Sequence, residues 1–179
     1  MTPPRGQLAI VLHTHMPYVE SFGTWPFGEE WLWFCVAESY LRLEPVLREA
    51  PVTIGLTPVL ADQFEAMKPG PQEVAGAAGD RMLAWINDSR EYVFGEDIRS
   101  FREVGKPDQS EALEPQLADY RRAAARFDEI GRDLNVLFAS FASEGREELI
   151  GGPATHAIMP LLATDFGADL QLRVGRDAH

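Results

Sequence analysis

Cysteine occurs once in this chain, at Cys35, so no intrachain disulfide can form and an oxidising compartment gains no support. Basic residues are outnumbered: 16 Lys and Arg stand against 28 Asp and Glu, a net charge of −12. A chain of that sign lacks the cationic clusters that neutralise phosphates, and anionic lipid surfaces repel it. Nucleic acid and membrane are therefore not its partners by composition. Long apolar runs are also missing. Nothing approaches the ~20 residues of a membrane span. The run from Gln7 to Leu12 is too short for a signal-peptide core, and no small-residue cleavage site follows it. The cytoplasm is the default expectation. No Gly-rich phosphate loop, Gly-x-Ser-x-Gly elbow or Cys-x-x-Cys motif is present, and there is no internal repeat or low-complexity segment.

What is present suits a packed core. Of 179 residues, 45% are hydrophobic and 10% aromatic. That is the size of one domain, or of part of a larger one, since domains run to roughly 100–200 residues. Leu8-Ala9-Ile10-Val11-Leu12 is an apolar run without alternation and predicts a strand buried on both faces, as in a parallel sheet. A loop should follow over 21–28. Residues 29–49 have helical spacing, with Trp31, Phe34, Cys35, Tyr40, Leu43 and Leu47 near one stripe and Pro45 set to kink or restart the helix. Residues 51–56 predict a second buried strand. Thr57-Pro58 opens a helix with a cap residue and a first-turn proline, running to about Met67.

A Pro-, Gly- and Ala-rich connection over 68–79 precedes two long helical patterns. The first covers about 80–104. The second steps through Leu113, Leu117, Tyr120, Ala124, Phe127, Ile130, Leu134, Leu137, Phe138 and Phe141, and Gly145 closes it. Residues 148–152 predict a third strand, and a last helix begins near Met159 or Leu161, breaks around 165–167 and resumes towards Arg176. The alternation of strands and helices predicts a parallel α/β architecture. Three strands would leave an open sheet edge, whereas a closed barrel needs about eight. The chain is thus expected to be part of a longer one.

Ligands of parallel α/β folds bind at the carboxyl ends of the strands. Three of the four histidines fall there: His13 and His15 after the first strand, His156 after the third; His179 is terminal. On an extended backbone His13 and His15 point to the same side. Two functional readings are open. His-x-His at a strand end can hold a divalent cation together with a third ligand. Neutral imidazoles can equally exchange hydrogen bonds with sugar hydroxyls. A third, purely structural reading has them satisfy buried backbone groups.

Trp25, Phe27, Trp31 and Trp33 crowd the first loop and the helix after it. Trp31 and Phe34 fit the apolar stripe of that helix and are expected in the core. Trp25, Phe27 and Trp33 are left as candidates for stacking on a sugar ring. Glu29 and Glu30 are placed to complement the amino end of the helix. No pair of carboxylates stands at the strand ends, where a retaining glycosidase would need them about 5–5.5 Å apart.

These residues resemble a family. Ile10-Val11-Leu12-His13-Thr14-His15-Met16-Pro17-Tyr18-Val19 is similar to the first conserved region of family 57 glycoside hydrolases, a His-x-His-x-Pro pattern after strand one. Trp31-Leu32-Trp33-Phe34 through Glu38-Ser39-Tyr40, and Leu56 through Gln63, resemble the next segments of its branching-enzyme group. Gly151-Gly152-Pro153-Ala154-Thr155-His156 through Leu162 resembles the second conserved region, centred on Ala-Thr-His. The four segments together span nearly the whole chain.

The resemblance implies the N-terminal part of an incomplete (β/α)7 barrel, with a helical insert at about 70–145, belonging to one catalytic domain over 1–179. It implies a retaining double displacement on an α-glucan, in which a Glu nucleophile cleaves an α-1,4 bond and an Asp acid/base activates a 6-hydroxyl acceptor. Both carboxylates belong to conserved regions beyond His179, so this chain alone should be inactive. His13, His15 and His156 carry over as sugar-contacting residues, with Trp31 a further candidate. The resemblance implies no metal or other cofactor. Rival readings are a family 57 α-amylase or 4-α-glucanotransferase, a metal-dependent hydrolase or deacetylase using the three histidines, and a non-catalytic glucan-binding fragment.

Overall fold

A computed structural model of the chain describes residue 6 and residues 8–20, 22–24, 26–70, 78–145 and 148–178. Trp25, His179 and positions 71–77 of the expected connection lie outside the described residues. In chain order the elements are β1 (Val11–Thr14) and α1 (Glu30–Cys35), then a π turn at Val36–Tyr40 that leads into α2 (Leu41–Leu47). Next come β2 (Thr53–Leu56), α3 (Pro58–Glu65), and α4 (Ala78–Trp85), which a second π turn at Ile86–Glu91 joins to α5 (Tyr92–Glu103). They are followed by α6 (Pro107–Glu129), α7 (Leu134–Ser143), β3 (Glu148–Ile150), a 3-10 turn at Met159–Leu161, and α8 (Asp165–Asp177).

The three strands form one parallel sheet in the order β1-β2-β3. Val11 pairs with Thr53, His13 with Gly55 and Thr14 with Leu56; on the other side of β2, Gly55 pairs with Ile150. The first strand was expected to be buried on both faces, and it is not: Val11 is 57% exposed and Ile10, just before the strand, 48%. Among the described residues only β2 has a partner along both edges, and Ile54 and Leu56 on it are buried. β1 also starts later than the apolar run suggested and takes in His13 and Thr14.

The chain divides into two compact units. The first, which holds the sheet, comprises Met1–Tyr18, Pro45–Gln63 and Asn135–His179. Here Ile54 and Leu56 of β2, Leu60 of α3, and Leu137, Phe138 and Phe141 of α7 are buried. Each such side chain withdrawn from water contributes about 1.5–3 kcal/mol before entropy is subtracted. The Asn135 amide donates to the Ala61 carbonyl at 2.9 Å, tying α7 to α3.

The second unit, Val19–Glu44 and Phe64–Leu134, is helical. Leu32, Trp33, Val36, Ala37 and Tyr40 are buried from the first helical segment, Met82, Trp85 and Ile86 from the second, and Leu117, Tyr120, Ala123 and Phe127 from α6. The expected assignment of the first helix is reversed: Trp31 (43%) and Phe34 (48%) are exposed, while Trp33 is core and lies against Trp85 with ring centroids 6.0 Å apart. Cys35 is half-buried. Pro45 stays inside α2 and does not restart a helix; the ladder instead widens one turn earlier, where the Leu41 N–H bonds to the Val36 carbonyl.

The second long helical pattern is two helices. Gly131 (φ 66°) and Arg132 (φ 61°) adopt the left-handed conformation and end α6 before α7 begins. The apolar spacing runs on across this break, so periodicity alone conceals it. The last helix likewise begins at Asp165 and is not interrupted there; the Thr164 hydroxyl caps it by accepting from the Gly167 N–H at 3.0 Å.

Glu29 and Glu44 of the helical unit are buried carboxylates, each gripped by a two-pronged guanidinium. Arg81 donates to both Glu29 oxygens at 2.6 Å, and Arg126 to those of Glu44 at 2.6 and 2.7 Å. Glu30 pairs with Arg90, which also lies over the Trp85 ring. Expected as helix-end charges, Glu29 and Glu30 thus each have an arginine of their own. Arg126→Met should deprive the Glu44 carboxylate of its two-pronged guanidinium. The loss of stability is expected at roughly 2–4 kcal/mol, towards the low side because the guanidinium is a third exposed. Urea denaturation measures it, and an unmoved midpoint would show that Glu44 does not depend on this partner.

Candidate functional site

The site grows from strand register. Because β1 and β3 flank β2 in the same direction, the residues following both strands emerge at one edge of the sheet. His13 stands opposite Gly55 of the middle strand, where a side chain would crowd it: a Cβ on Gly55 would lie 3.2 Å from His13 Nδ1. Thr14 faces the interior, and its hydroxyl donates to the Gly55 carbonyl at 2.9 Å. The next residue, His15, returns to the side of His13, with Nδ1 3.3 Å from the Thr57 hydroxyl.

The segment after His15 is held by one buried side chain. The Gln63 amide of α3 donates towards the carbonyls of Met16 (3.4 Å), Pro17 (3.2 Å) and Val59 (3.2 Å). From the third strand, Pro153 to His156 form a turn in which the His156 N–H donates to the Pro153 carbonyl at 3.0 Å. The Ala154 carbonyl accepts the Val59 N–H at 3.0 Å, joining this turn to the start of α3. His156 itself has φ 57°, the left-handed region that non-glycine residues seldom occupy.

The three imidazoles meet. The His156 ring lies 4.5 Å from that of His13 and 4.4 Å from that of His15, while His13 and His15 are 6.4 Å apart, so the centroids form a triangle with a right angle at His156. The planes differ by 25–34°, and the rings form a tight cluster in which His156 touches both of the others. In a three-histidine zinc site the nitrogens converge on one point at about 2.0–2.1 Å. Among the described residues no three His, Cys, Asp or Glu side chains are placed to hold a metal ion.

Burial, then the neighbouring His156, then His13, hold the His15 pKa below its ordinary value of 6.5. A neutral imidazole offers one N–H donor and one nitrogen acceptor, the complement of a hydroxyl. His13 and His156 are exposed and His15 half-buried, so the stack presents an open polar edge. The segments that carry it, 13–18, 55–57 and 151–158, contain no Asp or Glu.

Trp31, the fourth expected site residue, lies on α1 in the helical unit, exposed and edge-on to exposed Phe27 at 5.3 Å. Trp33, expected as a stacking candidate, is spent in the core. The supports of the histidines carry little signal in the sequence. Gln63 reads as one more residue of a helix, and nothing in its spacing marks a carbonyl clamp. Gly55, a glycine inside a strand across from His-x-His, does carry a signal, since such glycines admit a close approach.

The glycosyl hydrolase family 57 model matches residues 9–178. A 1,4-alpha-glucan branching enzyme of Thermococcus kodakarensis is 33% identical over 96% of this chain and 24% of its own length. A probable 1,4-alpha-glucan branching enzyme of Mycobacterium tuberculosis is 33% identical over 97% of this chain and 36% of its own. The chain thus spans between a quarter and about a third of the curated relatives it matches. Among solved structures, the GH57-type branching enzyme of Pyrococcus horikoshii superposes with a TM-score of 0.83 at 29% identity, over 97% of this chain and 32% of that one. The alpha-amylase AmyC of Thermotoga maritima, at 18% identity and a TM-score of 0.75 over 98% of this chain and 33% of that one, shares the fold.

The stack makes stability depend on pH. His15 takes up a proton more readily unfolded than folded, so its contribution is complete above its ordinary pKa of 6.5 and is lost as pH falls below it towards the depressed folded value. Urea midpoints at pH 7.5 and 5.5 should show this loss, and His15→Gln should reduce it. Equal pH dependence in both proteins would contradict the account.

Proposed function

The chain belongs to glycosyl hydrolase family 57, and from that premise we propose that it is the part of an α-glucan branching enzyme that grips the glucan beside the scissile bond. The observation that carries the reading is the open stack of His13, His156 and His15 at the carboxyl edge of a parallel sheet. That edge is where α/β enzymes bind their ligands. Clustered imidazoles match neighbouring sugar hydroxyls, and the lowered His15 pKa favours the neutral form of that ring. Trp31, exposed beside Phe27, offers a flat face of the kind on which a pyranose packs.

In this reading the three strands begin an incomplete (β/α)7 barrel within one catalytic domain, and the helices from Ala78 to Ser143 are an insert between its second and third strands. The remaining strands would come from parts of the protein outside this sequence. So would the Glu nucleophile and the Asp acid/base, for the histidine-bearing segments hold no carboxylate. The nucleophile would hold the cleaved glucan covalently, and the acid/base would then deprotonate a 6-hydroxyl to form the branch. The substrate is an α-glucan such as amylose or glycogen, and the role is in α-glucan synthesis in the cytoplasm. Water or a 4-hydroxyl as acceptor would make the same site an amylase or a 4-α-glucanotransferase.

Maltoheptaose titration of the chain tests the reading. Binding should weaken about tenfold in His13→Ala and again in His156→Ala, each losing a hydrogen bond worth about 1.4 kcal/mol. An amylose–iodine assay on the same sample should show no branching. Stoichiometric zinc or iron, lost in His13→Ala, would instead favour a metal-dependent hydrolase, and glucan affinity indifferent to all three histidines would end the proposal.

A further inference from the structure

His156 holds a strained backbone conformation, which persists only where its surroundings over-determine it. The local turn supplies one hydrogen bond, from the His156 N–H to the Pro153 carbonyl. The rest comes from α8, two turns into the helix. The Gln171 side-chain carbonyl accepts both the Thr155 N–H at 2.9 Å and the Thr155 hydroxyl at 3.2 Å. The Gln171 main-chain carbonyl accepts the Ala154 N–H at 3.0 Å. One residue thus holds both residues that precede His156. One helical turn later, buried Gly175 lets the helix lie close: a Cβ there would stand 2.1 Å from the Gly152 carbonyl oxygen and 3.1 Å from the Ala154 nitrogen. Helix and turn touch at Gly152, Ala154 and Thr155, the residues that aim His156.

We propose that Gln171 is a positioning residue that holds His156 against His13 and His15, with Gly175 as the point that seats α8 against the turn. The hydrogen bonds of Gln171 go to Ala154 and Thr155, so it acts on His156 through the residues that precede it. As a determinant of glucan binding, this role rests on the sugar-site reading of the histidine stack; as a determinant of ring placement, it does not.

The test separates the two. In the full 179-residue chain, NMR should show ring-to-ring cross-peaks from His156 to His13 and to His15. Gln171→Met, which keeps length and loses the acceptor, should abolish both cross-peaks while the dispersed amide spectrum persists. His15 should then titrate closer to its ordinary value. Gln171→Glu, which keeps the acceptor, should restore the cross-peaks. Should Gln171→Met fail to fold, Gln171→Asn, with the acceptor one methylene short, gives the same readout. Maltoheptaose affinity should fall about tenfold in Gln171→Met and recover in Gln171→Glu. Cross-peaks that survive in folded Gln171→Met, or that vanish equally in Gln171→Glu, overturn the proposal. Separation of the rings without any change in affinity leaves the positioning role standing and refutes the sugar site.

Discussion

Parallel pairing aligns strand direction, and with it the destination of whatever follows each strand. His13 and His156 are separated by most of the chain, yet both leave the same edge of a three-stranded sheet. Everything local to the site depends on that alignment. Gly55 makes room for His13 because it is the residue paired with it. Thr57 reaches His15 because it follows the middle strand, as His15 follows the first. The His156 turn meets the start of α3 through a main-chain hydrogen bond from the Val59 N–H to the Ala154 carbonyl. Short strands suffice because the hydrogen-bonding partners are backbone groups, whose spacing does not depend on side chains.

What the sequence disclosed follows the same division. The three strands, their parallel sense and the meeting of His13, His15 and His156 were legible, because apolar runs ending in histidine are local signals and the sheet does the rest. Thr57-Pro58 marked the start of α3 correctly for an equally local reason. Burial within elements was less legible. Val11 and Ile10 are as apolar as Ile54, but among the described strands only the middle one is flanked on both sides. Trp31 and Trp33 are two residues apart on one helix, and composition does not tell which faces inward; packing against Trp85 decides for Trp33. The break at Gly131-Arg132 was hidden because residues on either side of it keep the same apolar rhythm.

The supports of the site share one character. Gln63 and Gln171 hold the backbone on either side of the histidines, Gln171 the Thr155 hydroxyl as well, and Thr57 meets a ring nitrogen of His15. Polar residues in such places resemble any others in a helix or loop. They become visible only when the chain has folded and their acceptors can be named.

Both π turns, at Val36–Tyr40 and Ile86–Glu91, pack on α6. A π turn holds one residue more than the α-helical ladder requires, so each is a slip of phase in an otherwise continuous helix. In a regular α-helix one residue more or less turns every later side chain by about 100° around the axis, and the widened turn absorbs that rotation. In the first helix Glu44 therefore still faces Arg126, and in the second α5 still lies along α6. Loss of one residue is tolerated best at these turns, where the ladder simply closes, and least in the regular helix on either side of them.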